Sequence, residues 1–168
     1  RRQRQMCIRD SIRGDDHLAN TPKQILVYRA LGLNTPIFAH LPMILGSDKK
    51  RLGKRHAATN VQEYKDKGFT PKVILNYLSL LGWNPDSEKE IFDQNELINS
   101  FQFKQVQKKS AVFDEKKLLW ISQQHLSEMS VRDLMNEIYT LNPEWGDGLE
   151  WDYLKEVVKL IKDRSKTI

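Results

Sequence analysis

The sequence predicts a chain that opens as the closing part of an α/β layer and continues as a helical body. Two observations carry this. The first 57 residues read strand, helix, strand, loop, and after residue 60 apolar residues recur at helical spacing behind a series of capping signals. The composition bounds the class: 168 residues, 39% apolar and 29% charged, suit one ordinary domain or two small ones, and not a disordered chain. No apolar run approaches the roughly 18 residues a membrane span needs. No signal-peptide pattern opens the chain. The single cysteine, Cys7, leaves no disulfide framework and no Cys-based zinc site, and it fits a reducing cytoplasmic setting.

Each element has a local reason. Residues 8–13 are a strand candidate. Asn20-Thr21-Pro22 starts a helix, with Thr21 as N-cap and Pro22 at the first helical position, and Gly32 stops it. Pro36 opens the apolar run 37–45, expected as one buried strand entering a basic loop. Asn60 caps a short helix ending at Gly68, and Thr70-Pro71 repeats the start signal. Val73, Ile74, Tyr77, Leu78 and Leu81 then form a 3.6-residue stripe closed by Gly82. Asp93 with Glu96, and Ser130 with Asp133, read as capping boxes. Asp114 precedes a helix with Leu118, Leu119, Ile121 and His125 on one side. A last amphipathic helix runs from about Glu150 to Arg164, pinned by Trp145 and Trp151 around a Gly-Asp-Gly turn.

The net charge of +5 suggests an anionic partner, but its distribution says more. Arg1, Arg2, Arg4 and Arg9 against Asp10 supply +3 of it, and the remainder holds 23 basic and 21 acidic residues. The stretch "GSDKKRLGKRHA" (46–57) alone carries +4. A solvated turn, a nuclear-import signal, a patch for RNA backbone and a clamp for a phosphate ligand all look like this. In the last of these, Lys54, between the flexible Gly53 and Arg55, swings onto a polyphosphate and stabilises charge building on a leaving pyrophosphate.

Two further groups of residues bear chemistry. In "IRGDDHLANTP" (12–22), Asp15, Asp16 and His17 are metal-ligand types, yet three consecutive residues do not converge easily on one ion and no partner cluster lies elsewhere. Placement is more informative. Arg13 ends a strand and leads into a helix N-terminus, where α/β sheets put ligand sites. An arginine there suits bidentate carboxylate recognition, and Asp16 suits ribose hydroxyls or an amino group. Between 101 and 125, Phe101, Phe103, Lys104, Lys108, Lys109, Phe113, Lys116, Lys117 and Trp120 could form a nucleic-acid face. Phe113 and Trp120 are expected in the core, which leaves the lysines as backbone contacts without sequence readout.

These segments together resemble the bacterial glutamyl-tRNA synthetases, class I aminoacyl-tRNA ligases. "RGDDHLANTPKQILVYRALG" (13–32) is similar to the family's arginine-Gly-acidic-acidic-His segment and the helix after it. "HLPMILGSDKKRLGKRHAA" (40–58) is similar to the strand and loop of its KMSKS-type signature, and "GFTPKVILNYLSLLGW" (68–83) and "FDEKKLLWISQQHL" (113–126) to two helices of its stem-contact domain. The likeness covers residues 12 to about 130, is looser beyond, and favours the glutamyl over the glutaminyl branch through Arg13 and "GDDHL". It implies the α/β end of a Rossmann-like catalytic domain over 12–57, a stem-contact domain over 58–130 and the start of a helical anticodon-binding domain over 131–168.

Residue roles also follow from the resemblance. Arg13 aligns with an arginine that binds the γ-carboxylate of glutamate. Asp16 and His17 fall where the family contacts ATP or the acceptor end of tRNA, and Met43 and Ile44 where backbone groups meet adenine. Arg51, Leu52, Gly53, Lys54 and Arg55 occupy the signature, with Lys54 on the ATP phosphates and Arg51 and Arg55 beside it. Lys104, Lys108 and Lys109 are candidate tRNA contacts. The implied partners are ATP with Mg²⁺, L-glutamate and tRNA(Glu), for a cytoplasmic monomer with neither membrane nor DNA as partner and no metal site of its own. Arg51 stands where the family has lysine and Gly53 where it has serine, which exchanges a point charge for a planar fork and loosens the backbone. Residues 1–11 do not look like the family's strand and read as a foreign join. The family's HIGH-type half is missing, so the 168 residues are expected not to catalyse alone. The rival expectation is a non-catalytic tRNA- or RNA-binding module that has kept only the basic surface.

Overall fold

A computed structural model describes residues 10–53 and 60–168. Residues 1–9, with Cys7 and the first two residues of the 8–13 strand candidate, and residues 54–59, with Lys54 and Arg55, lie outside the described residues. The first elements are β1 (Ser11–Gly14), a 3-10 turn (Asp15–Asn20), α1 (Thr21–Ala30), β2 (Phe38–Leu41) and β3 (Ile44–Leu45). Then come α2 (Val61–Asp66), α3 (Pro71–Leu80), α4 (Gln94–Ser100), a 3-10 turn (Phe103–Gln105), β4 (Ala111–Val112), α5 (Glu115–Glu128), α6 (Val131–Leu141), α7 (Trp151–Ile161) and a final 3-10 turn (Lys162–Arg164). The expected division, a small α/β opening and a helical remainder, is what forms.

The opening departs from expectation in two places. The run 37–45 is not one buried strand. Pro42 has no N–H to give to a ladder, and the chain changes partners across it. Upstream, β2 pairs in parallel with β1, Arg13 opposite His40. Downstream, β3 pairs in parallel with β4, Ile44 opposite Ala111. Nor is the run buried: Ile37 is 72% exposed and Leu41 41%. Thr21 is not an N-cap either. The 3-10 turn runs straight into α1, so Thr21 already has helical dihedrals (φ −59°, ψ −44°), and its hydroxyl is free to bond elsewhere.

The helical part follows its caps. Asn60 accepts from the Gln62 N–H, Asp93 and Glu96 close a complete capping box, Asp114 accepts from the N–H groups of Lys116 and Lys117, and Ser130 accepts from that of Asp133. The α3 stripe buries Val73, Ile74 and Tyr77 against Phe113, Leu118 and Ile121 of the α5 region, with Phe69 beside them. Leu78 of that stripe is 45% exposed, and Trp120, expected in the core, is 42% exposed because it sits outside the face that carries Leu118 and Ile121. A second core joins Leu126, Leu134, Met135, Leu154 and Val158. There Trp145 and Trp151 both pack on Tyr139, at 5.4 and 5.9 Å between ring centres, and so hold the turn before α7 as expected.

Two side chains of α3 do more than fill space. The Tyr77 hydroxyl donates to the Asp114 carbonyl (2.9 Å) and accepts from the Asp114 N–H (2.7 Å), which fixes the start of α5 against α3. Burial pushes its phenol above the usual tyrosine range, and that of Tyr64 to about 12. Asn76, fully buried, donates to the Glu90 carbonyl and accepts from the Phe92 N–H and from His125 Nε2 (2.8 Å). A carbonyl can only accept and an amide N–H only donate, so the orientation of Asn76 is determined and His125 carries its proton on Nε2.

Replacing Tyr77→Phe strands the donor and acceptor of Asp114, and we expect a loss of about 1–3 kcal/mol in urea unfolding; an unchanged midpoint would remove this lock from the account. Burial holds His125 below the ordinary histidine range, so between its native and ordinary values the unfolded chain binds the extra proton and stability falls with pH. The urea midpoint should therefore drop as pH falls below 6.5. His125→Gln, which keeps a donor toward Asn76, should flatten that slope, and equal slopes in the two proteins would contradict it.

Candidate functional site

The chemistry-bearing residues of the first 53 positions meet at the C-terminal ends of β1 and β2. Arg13 is the third residue of β1 and His40 its partner across the ladder. The guanidinium lies over the Phe38 ring, 5.0 Å from its centre. Its Nη2 donates to Thr21 Oγ1 at 2.6 Å and its Nε to His40 Nε2 at 3.3 Å. Thr21, 8% exposed, also lies 2.9 Å from His40 Nε2 through its Oγ1. The hydroxyl freed from capping thus belongs to the Arg13 site.

Just beyond β1 the chain turns on Gly14 into the Asp15–Asn20 segment. A Cβ on Gly14 would lie 2.6 Å from Asp16 Oδ1, so the glycine is what allows the Asp16 carboxylate to fold back over the strand end. There it accepts a 2.9 Å hydrogen bond from Arg51 Nη2. The pair is largely open to water (67% and 30% side-chain exposure), so it orients the loop more than it stabilises the fold. The sequence named Asp16 and Arg51 separately, and the structure brings them together. Asp15 Oδ1 is buried with no hydrogen-bond partner among the described residues. The His17 side chain stands exposed.

The basic stretch is more ordered than a flexible turn as far as it is described. Gly46 N–H bonds to the Lys50 carbonyl (2.8 Å), Lys49 N–H to the Gly46 carbonyl (2.9 Å), and Asp48 accepts from Lys50 N–H. Lys49 takes a left-handed conformation (φ 60°) to close the turn. Leu45 bridges Arg51 in antiparallel fashion and Leu52 N–H bonds to the Ile44 carbonyl (2.9 Å), so the segment returns as a hairpin on β3. Extended backbone sends successive side chains to opposite faces. Leu52 enters the α3–α5 core beside Ile44, and Arg51 faces Asp16. Ile44 therefore has its carbonyl engaged by Leu52 and its side chain in the core, and Met43, half-buried, fills the step between β2 and β3. Lys54 and Arg55 follow Gly53 directly but lie outside the described residues.

Lys104, Lys108 and Lys109 are exposed on the segment between α4 and β4. Phe101 and Phe103 beside them form an exposed edge-to-face pair, 5.4 Å between centres. Phe113, by contrast, is core, as expected. Among the described residues no three His, Cys, Asp or Glu side chains gather as metal ligands, and no helix is long and apolar enough to cross a membrane.

A family model described as tRNA synthetases class I (E and Q), catalytic domain, matches residues 3–120. The chain belongs to this family. The matched range takes in most of residues 1–11, the stretch the sequence set apart, and extends through α5 as far as Trp120. A glutamate–tRNA ligase of Moorella thermoacetica is 42% identical over 169 residues, covering 97% of this chain and 34% of the relative. Glutamate–tRNA ligase 1 of Syntrophus aciditrophicus is 46% identical over 168 residues, covering 98% and 35%. The crystal structure of a glutamate–tRNA synthetase from Elizabethkingia anophelis superposes with a TM-score of 0.83 at 29% identity, covering 96% of this chain and 36% of that one. A glutamate–tRNA ligase from Elizabethkingia meningosepticum, crystallised in complex with its amino acid, gives the same values. The chain thus spans about a third of the length of the relatives it matches, and its fold is that of a class I synthetase catalytic domain with a helix-rich continuation.

Gly14→Ala should push the Asp16 carboxylate off Arg51 while sparing the fold, since the clash is with the end of a flexible side chain. The expected result is a melting temperature within a few degrees of the parent, because an exposed ion pair contributes about 0–1 kcal/mol, with altered amide shifts of Arg51 and Leu52 in an NMR spectrum. Unmoved shifts would show that Asp16 does not steer the loop.

Proposed function

We propose that the chain is the part of a glutamate–tRNA ligase that recognises the glutamate side chain and closes on the phosphates of ATP. The observation that supports this best is the Arg13 guanidinium. Two of its N–H groups are spent on Thr21 and His40, and its remaining donors are left for a carboxylate at the strand ends, where open α/β sheets take their ligands. A planar cation over an aromatic ring suits the γ-carboxylate of glutamate, whose two oxygens both accept, better than an amide, whose carbonyl can accept but whose NH2 would face the guanidinium donor to donor.

The reaction is activation followed by transfer. An oxygen of the glutamate α-carboxylate attacks the α-phosphorus of ATP, the bond to the β-phosphate oxygen breaks, and pyrophosphate leaves to give glutamyl-adenylate. A ribose hydroxyl at the 3′ end of tRNA(Glu) then attacks the acyl carbon and expels AMP. ATP arrives with Mg²⁺ as its counter-ion. Charge builds on the leaving pyrophosphate, and Lys54, with Arg51 and Arg55 beside it, meets that charge in the transition state. The hairpin carries these residues on a rigid base, Leu52 in the core and Arg51 tethered to Asp16. Asp16 and His17 face ATP or the acceptor end, and the backbone at Met43 and Ile44 meets adenine. On this reading residues 12–57 close the catalytic domain, 58–130 form the stem-contact domain and 131–168 begin the anticodon-binding domain, with Lys104, Lys108 and Lys109 along the tRNA backbone.

A complete ligase containing this chain should catalyse glutamate-dependent ATP–pyrophosphate exchange and ignore glutamine. In it Lys54→Ala should cut exchange by roughly 100-fold, as loss of one charge-stabilising group does, while tRNA affinity changes less than about threefold, since one phosphate contact carries little of a large polar interface. Equal loss of both would favour the non-catalytic RNA-binding module.

A further inference from the structure

Arg13 is the one residue of the site whose orientation the structure accounts for donor by donor. A guanidinium has five N–H groups in a fixed planar fork. Nε and Nη2 are engaged on His40 Nε2 and Thr21 Oγ1, and those two acceptors lie only 2.9 Å from each other. Acceptors that close, shared between Nε and Nη2, sit along the same edge of the fork. The edge left over is the end-on pair, Nη1 with the second N–H of Nη2, whose spacing matches the two oxygens of a carboxylate.

The proton positions follow from the same contacts. Arg13 can only donate, so His40 Nε2 must accept from it, and the imidazole is neutral with its proton on Nδ1. Thr21 Oγ1 accepts from Arg13, and its proton lies between two acceptors: His40 Nε2 at 2.9 Å, whose one lone pair it shares with Arg13 Nε, and the His17 carbonyl at 3.4 Å. The three side chains form a closed ring of donors and acceptors from three elements: β1, the start of α1, and β2. Phe38 supports the ring plane from one side.

We propose that Thr21 and His40 are positioning residues that lock the side edge of the Arg13 guanidinium, so that only its end-on pair of N–H groups is presented to the substrate carboxylate. The inference rests on the proposal that Arg13 binds the glutamate side chain. The lock acts on affinity for the amino acid and not on chemistry at phosphorus, because the contacts of Thr21 and His40 are to Arg13 and to each other. It also explains why Thr21 gives up the capping role its sequence suggests.

The test is steady-state ATP–pyrophosphate exchange in the complete ligase, comparing the parent with Arg13→Ala, Thr21→Val, Thr21→Ser and His40→Leu. Thr21→Val and His40→Leu should each raise KM for glutamate by about tenfold or more, the range expected for losing one hydrogen bond to a charged group. KM for ATP and kcat should stay within about threefold, as when only substrate binding is weakened. Thr21→Ser, which keeps the hydroxyl, should return KM toward the parent. On an Arg13→Ala background, adding Thr21→Val should raise KM no further, since the group it orients is gone. If Arg13→Ala leaves glutamate KM unchanged, the carboxylate role of Arg13 falls and the inference with it. If Arg13→Ala raises KM but Thr21→Val and His40→Leu do not, or if Thr21→Val adds its effect in full on the Arg13→Ala background, the positioning role alone is overturned. Should Thr21→Val fail to fold, His40→Leu with and without Arg13→Ala decides the matter by the same criteria.

Discussion

The basic hairpin of the site takes its place from two residues of parallel pairing. β3 lays Ile44 and Leu45 beside Ala111 and Val112 of β4, and the Phe113 N–H extends the ladder onto the Leu45 carbonyl at 2.8 Å. Through this contact a segment from the α/β opening is joined to one that leads into α5, and Phe113 passes from the ladder into the core of Tyr64, Tyr77 and Leu118. Tyr77 then grips Asp114, the next residue, by both its backbone groups. So short a ladder would be marginal by itself. It persists because β4 runs into the aromatic packing of Phe113 and Ile44 packs on the same core, and the basic hairpin inherits its position from that junction.

The site built on this base is organised by which donors are already used. Arg13 has an occupied edge and an open one. Asp16 is turned back by the absence of a side chain at Gly14 and meets Arg51. These contacts are half-exposed and individually weak, but they are geometric: they set where a planar cation and a loop begin before any ligand arrives. That is the form preorganisation takes at a polar site: donors and charges are oriented by their neighbours within the fold.

Much of this was legible in the sequence, and the misses have causes. Helix starts at Asn60, Asp93, Asp114 and Ser130 were readable because capping is a local interaction written in neighbouring residues, and the start at Thr70 because Pro71 suits the first helical position, although the Thr70 side chain makes no cap. The α3 stripe followed from helical period, and Phe113 was expected in the core, where it lies just ahead of the Asp114 cap. Trp120 misled because hydrophobicity alone does not say which side of a helix meets the core. The run 37–45 misled because apolar content cannot show that a strand changes partners, although Pro42 carried that signal. Thr21 and His40 went unrecognised since their meaning arises only when β1, β2 and α1 converge across 27 residues of sequence. Arg13, Asp16 and Arg51 were named, but their mutual arrangement was not.

The alternation of Arg51 and Leu52 has an evolutionary side. One residue gained or lost between Leu45 and Arg51 would exchange the faces of the two, carrying a guanidinium toward Phe113 and setting a leucine against Asp16. Register therefore constrains the length of this hairpin more tightly than the identity of any one of its residues. Arg51 and Leu52 both hold this register, one against Asp16 and the other in the core. A change of length there costs the pairing of Arg51 with Asp16 and the burial of Leu52 together, whereas a change of residue costs one of them.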